Sequence, residues 1–166
     1  MEAVLLDKFR QIRLLILDVD GVLTDGRLWY SSDREVLKVF HVQDGLGIKR
    51  LLQAGVKVAI ISSQKHQAVF QRAKELGISY IFQSERDKRI PYEKLVSQLQ
   101  LDEKKIAYMG DDLPDLPIMQ RVGLAIAVAN AVPEIHSSAH WSTKKRGGEG
   151  AVREVCDLIM TPIIHE

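Results

Sequence analysis

Short apolar runs recur along the chain at 14–17, 56–61, 80–82, 106–109 and 124–128. They are rich in Ile, Val and Leu, and most do not alternate apolar with polar residues. Unbroken runs of this length suit parallel strands covered on both faces. Between them the apolar positions take up helical spacing. Leu46, Ile48, Leu51 and Leu52 precede Gly55, and Ala68, Val69, Ala73 and Leu76 precede Gly77. A glycine placed there ends a helix. Tyr92, Leu95, Val96 and Leu99 give a third face, and Val152, Val155, Leu158 and Ile159 a last one. This alternation predicts an α/β fold, a Rossmann-like parallel sheet wound on both sides by helices.

One segment breaks the alternation. Two β-prone runs, 28–30 and 36–40, flank the polar stretch 31–35. That is a hairpin signal, and it predicts a flap over about 26–42. Inserted directly after the first strand, the hairpin sits over that strand's carboxyl end, where open α/β sheets bind ligands. The aromatic residues Trp29, Tyr30 and Phe40 read as packing for the hairpin or for a subunit interface. The basic, glycine-rich KKRGGEG, 144–150, reads as a mobile loop opening a C-terminal tail, about 144–166. No repeat or linker interrupts the pattern, so the expectation is one domain over 1–166.

Composition narrows the function classes. The 166 residues carry a formal net charge of +1, which argues against a surface built for nucleic acid. No apolar run reaches the length of a membrane span, and charges interrupt the N-terminal MEAVLLDKFRQIR. No nucleic-acid or membrane partner is expected. Cys156 is the single cysteine. It reads as a small core residue, and its isolation fits a reducing, cytoplasmic setting.

The candidate chemistry lies just past the strands. Asp18 and Asp20 follow the first, Ser62 and Ser63 the second, and Asp111, Asp112 and Asp115 the fourth. Lys88 precedes the third main helix. In a parallel sheet these groups meet at one edge. Clustered carboxylates repel one another unless a hard divalent cation binds, and Mg²⁺ fits a site with few protein carboxylates. His136 and His140 have helical spacing but no third ligand, and read as unrelated surface histidines. An aspartate beside a metal, a hydroxyl and a lysine points to phosphoryl transfer. One Asp would attack phosphorus. Lys88 and the cation would balance the phosphoryl charge, and Ser62 would hold an oxygen. A second carboxyl two residues on would protonate the leaving oxygen and then activate water.

These motifs resemble the haloacid dehalogenase superfamily of phosphatases. DVDGVLTDG is similar to its first motif, ISSQ stands where the second places a Ser or Thr, Lys88 matches the third-motif lysine, and GDDLPD the acidic fourth. From about Ile12 to Met160 the chain is most similar to the branch that dephosphorylates a 3-deoxy-ulosonic acid phosphate in lipopolysaccharide precursor synthesis. The resemblance implies Asp18 as nucleophile and Mg²⁺ ligand. It implies Asp20 as general acid/base, touching substrate and reaching the metal through its backbone carbonyl. Asp111 would complete the ligands, Ser62 and Lys88 would bind the phosphoryl group, and Asp112 and Asp115 would support the metal site. It also implies a core without a large cap domain, a small-molecule sugar-acid phosphate as substrate, and a homotetramer in which neighbouring subunits help close the pocket.

The chain departs from that branch at three positions. ISSQ replaces the usual ITGR, Gln43 stands where arginine is common, and Glu149 likewise. Loss of an arginine removes a bidentate partner for a carboxylate. A related nonulosonic acid phosphate is therefore the alternative substrate, and a catalytically silent phosphate-binding homologue a further one. A receiver-like switch is disfavoured, because no aspartate stands at 83–84 after the third run.

Overall fold

A computed structural model describes residues 3–33 and 35–161. Six parallel strands form one sheet: β1 (Leu14–Leu17), β4 (Lys57–Ile61), β5 (Tyr80–Phe82), β6 (Ile106–Gly110), β7 (Leu124–Ala127) and β8 (Trp141–Ser142). Their order is β5-β4-β1-β6-β7-β8, and β2 (Trp29–Tyr30) pairs with β3 (Val36–Leu37) in a separate antiparallel hairpin. The described helices are α1 (Ala3–Gln11), α2 (Val42–Gln53), α3 (Gln67–Leu76), α4 (Arg89–Leu99), α5 (Leu116–Met119), α6 (Pro133–Ser138) and α7 (Ala151–Met160).

The unbroken apolar runs have a simple physical cause. Side chains alternate between the two faces of a strand, and both faces are covered. Leu15, Leu17, Val58, Ile60, Met109 and Ile126 enter one core, packed by α1, α2, α3 and α7. Leu14, Ile16, Ala59, Ile61, Tyr108 and Ala125 enter the other, beneath α4, α5 and α6. The doubly wound reading therefore holds. β5 is half-exposed because it is an edge strand. Gly77 ends α3 in the left-handed region (φ +83°), as a C-terminal glycine does.

From β1 the chain crosses to β4 on one side and later reaches β6 on the other. That reversal opens a crevice at the carboxyl ends of the central strands. Among the described residues the insertion after β1 is only the hairpin, with no cap domain. No helix of the described residues is long and apolar enough to cross a membrane. Residues 162–166 of the expected tail, and Arg34 of the flap, lie outside the described residues.

Candidate active site

The loop after β1 is a tight turn. Val19's carbonyl accepts the amides of Val22, Leu23 and Thr24, at 3.2, 2.9 and 3.0 Å. The Thr24 hydroxyl donates to the same carbonyl and accepts from the amide of Gly26 at 3.2 Å. Gly21 lies at φ +89°, and a Cβ there would strike the Asp111 carboxylate. Only glycine lets the turn come this close to β6's end.

All seven expected site residues line one open cleft of about 340 Å³: Asp18, Asp20, Ser62, Lys88, Asp111, Asp112 and Asp115. Buried Lys88 ties them together, donating to Asp18 Oδ1 at 2.7 Å and to Asp115 Oδ1 at 2.6 Å. Asp115 is the organiser. Its Oδ1 also accepts from the Tyr108 hydroxyl at 2.6 Å, and its Oδ2 from the amides of Asp111 and Asp112 at 3.0 and 3.3 Å. Asp112 caps the turn, accepting from the Leu113 amide at 2.7 Å. Ser62 is buried at the end of β4, and its Oγ accepts from the Gln64 amide at 3.3 Å. The hydroxyl proton is thus left to donate into the cleft.

The electrostatics follow from this crowding. Burial pushes the Asp18 carboxyl well above the usual carboxylate range; Asp115 adds to the rise and Lys88 only partly offsets it. Burial, reinforced by Asp115, raises Asp111 to about 7. Burial alone would lower the Lys88 ammonium, but Asp18 and Asp115 outweigh it and hold it above its ordinary value. Burial and then Asp115 keep the Tyr108 phenol protonated. Oxygens of Asp18, Asp111 and Asp115 lie within 4.8 Å of one another. An all-oxygen set under mutual repulsion fits Mg²⁺. Asp115 already accepts four hydrogen bonds, so of the three it is Asp18 and Asp111 that could hold such an ion.

Sequence reasoning missed several residues. Tyr108 reads as core in an apolar strand, yet its hydroxyl holds Asp115. Lys38 of the hairpin pairs with the Asp20 carboxylate. The glycine-rich loop is not the free segment its composition predicts. Gly148's amide donates to Val22's carbonyl at 3.1 Å. Asn130 donates to Gly21's carbonyl at 3.0 Å and accepts from Gly147's amide at 2.6 Å. The paired glycines are the signal that was available, because they permit backbone to pack on backbone. A Cβ on Gly147 would lie 1.8 Å from Gly21's carbonyl oxygen. Gly147→Ala is therefore expected to cost roughly 2 kcal/mol or more and to slow turnover by shifting the Asp20 turn. Urea unfolding beside an activity assay checks this, and unchanged stability would refute the packing argument.

The remaining candidates have structural roles. His140 Nδ1 accepts from the Ala125 amide at 2.9 Å, and His136 Nδ1 lies 3.0 Å from Ser142 Oγ. Cys156 is buried and free, its thiol pushed up by burial.

Known proteins resemble this chain over most of its length. The haloacid dehalogenase-like hydrolase family matches residues 80–155. The chain is 47% identical over 149 residues to the 3-deoxy-D-manno-octulosonate 8-phosphate phosphatase of Yersinia pestis, covering 90% of this chain and 80% of that one. It is 46% identical over 153 residues to the Escherichia coli K12 enzyme of the same name, covering 92% and 81%. The Moraxella catarrhalis phosphatase, crystallised with magnesium, phosphate and KDO, superposes with a TM-score of 0.94 at 42% identity, covering 97% of this chain and 92% of that one.

Proposed function

The chain belongs to the 3-deoxy-D-manno-octulosonate 8-phosphate phosphatases of the haloacid dehalogenase-like hydrolases, and on that premise we infer a Mg²⁺-dependent phosphoric monoester hydrolase that releases phosphate from this sugar acid. The observation that carries the reading is the buried Asp18–Lys88–Asp115 bridge, with Asp111, Ser62 and Asp20 in the same cleft.

The reaction takes two steps. Asp18 reacts as the carboxylate, the form that its Lys88 partner and a bound cation would favour. One of its oxygens attacks phosphorus, the P–O bond to the sugar breaks, and the Asp20 carboxyl gives its proton to the departing oxygen. A water then attacks the aspartyl-phosphate and gives a proton to Asp20. Phosphate leaves, and Asp18 and Asp20 return to their starting states. Lys88 sets a positive charge beside the nucleophile, which balances charge on the phosphoryl oxygens. Ser62 donates a hydrogen bond to one of them. Asp18, Asp111 and the Asp20 carbonyl would hold Mg²⁺, which would supply positive charge against the carboxylate and phosphoryl oxygens.

The assembly reading is a homotetramer. Its support is the exposed apolar surface of the hairpin region, where Leu28, Trp29, Tyr30, Leu37, Val39 and Val42 are each more than half exposed. Such a surface is a liability in a monomer. A cytoplasmic location is proposed from the unpaired Cys156.

The test is phosphate release from a panel: 3-deoxy-D-manno-octulosonate 8-phosphate, a nonulosonic acid 9-phosphate and simple hexose phosphates. The octulosonate phosphate should be turned over fastest. Chelation should abolish turnover, and added Mg²⁺ should restore it. Preference for the nonulosonic substrate would trace to Gln64, which lines the cleft. Absence of turnover with every substrate would overturn the reading.

A further inference from the structure

The hairpin carries a residue that the mechanism has not used. Past β3 the side chains keep the alternation of a strand. Leu37 and Val39 point to solvent, at 54% and 61% exposed, whereas Phe40 packs against the core. Lys38 shares the inward face with Val36 and Phe40. Its side chain is only 4% exposed. The Lys38 ammonium forms an ion pair with Asp20 Oδ1, its only carboxylate partner among the described residues.

The strand is pinned so that this pairing is enforced. His66 Nδ1 accepts from the Ala68 amide at 3.2 Å and caps α3. That bond sets the tautomer with hydrogen on Nε2, which donates to Val36's carbonyl at 2.7 Å. Lys38 therefore hangs from a backbone fixed to the start of α3, while Asp20 belongs to the turn after β1.

An ammonium on a buried face is costly unless paired. A buried ion pair is in turn a weak source of stability, because desolvation offsets the attraction. An apolar residue at 38 would suit an inward strand position between Val36 and Phe40 better. What the lysine adds is direction. It holds one oxygen of the Asp20 carboxylate and leaves the other for proton exchange.

We propose that Lys38 is a positioning residue for the phosphatase reaction: the hairpin delivers its ammonium to Asp20 and so orients the acid/base carboxyl toward the departing sugar oxygen. The proposal rests on the reading of Asp20 as general acid/base. It makes the hairpin part of the reaction machinery.

A double-mutant cycle tests it. Hydrolysis of 3-deoxy-D-manno-octulosonate 8-phosphate with Mg²⁺ is measured for wild type, Lys38→Met, Asp20→Asn and the double variant. Lys38→Met should lower kcat by about tenfold or more, the penalty of a misplaced catalytic group, with KM little changed. Lys38→Arg should recover part of the loss. In the Asp20→Asn background Lys38→Met should cost nothing further, because a residue acting only through Asp20 has nothing left to act on. The same fold-loss in both backgrounds, or a loss confined to KM, would overturn the proposal. Such results would make Lys38 a structural or substrate-binding residue.

A second readout guards against a damaged fold. The phenolate of p-nitrophenyl phosphate leaves without a proton, so its first-step rate in a single turnover should survive Lys38→Met while that of the sugar substrate falls. Equal slowing of both would again overturn it. An Asp20→Asn protein of full activity would refute the acid/base reading itself, and the inference with it. A slow Asp20→Asn protein whose penalty simply multiplies with that of Lys38→Met would refute the inference alone.

Discussion

Asp18→Asn is expected to reduce phosphate release by a factor on the order of 10⁴ or more, because the attacking oxygen is lost and no neighbour is placed to replace it. The protein should nevertheless fold. Burial dominates at Asp18 and favours the neutral carboxyl, so the native pKa stands well above the ordinary 3.8. For such a group the native state holds a proton that the unfolded chain releases. Its contribution to stability is greatest below about 3.8 and declines as pH rises toward the native value. Asparagine keeps the shape and removes the buried charge. In chelator the variant should therefore gain on wild type as pH rises from 5 to 8, as measured by urea unfolding. Retained turnover would remove Asp18 as nucleophile. Lost turnover with lost folding would make the carboxylate structural. The position thus trades stability for reactivity, as active sites often do.

Much of this site is legible along the chain because a parallel sheet gathers every strand's carboxyl end on one edge. The aspartates and serine after the apolar runs then converge whatever the helix lengths between them. The runs themselves are easy to read, because two covered faces remove the polar half of the alternation. Short elements are harder. β8 is two residues long and α5 four, so neither carries a full period of any pattern. Lys38 escapes notice for a different reason. A lysine beside a two-residue strand reads as a solvated charge, and its partner Asp20 is 18 residues away. Tyr108 is hidden by its own apolar body, since only the hydroxyl tip is polar. The loop of Gly147 and Gly148 shows that glycine marks close approach as readily as freedom, and here the approach fixes the turn that bears Asp20.

Lys88→Met should remove turnover and also destabilise the protein, by about 3–5 kcal/mol at pH 8 in chelator, because breaking a buried pair leaves its partners uncompensated. Lys88 is 4% exposed and bridges two carboxylates. The effect should depend on pH in a definite direction. In wild type the Lys88 ammonium is held above its ordinary 10.5, so its contribution is complete through neutral pH and is lost only as pH rises through the native value. In the variant the carboxylates lose their compensating charge, and Asp18 is already raised by burial. The native state then binds more protons than the unfolded chain, and its stability increases as pH falls toward about 3.8. The gap between variant and wild type should therefore narrow from pH 8 to pH 5. Added Mg²⁺ should narrow it at pH 8, since a cation beside Asp18 and Asp111 substitutes in part for the missing ammonium. A deficit that is the same at both pH values and insensitive to Mg²⁺ would be lost packing. It would mean that the lysine fills space at the strand end and does not neutralise the carboxylates gathered there.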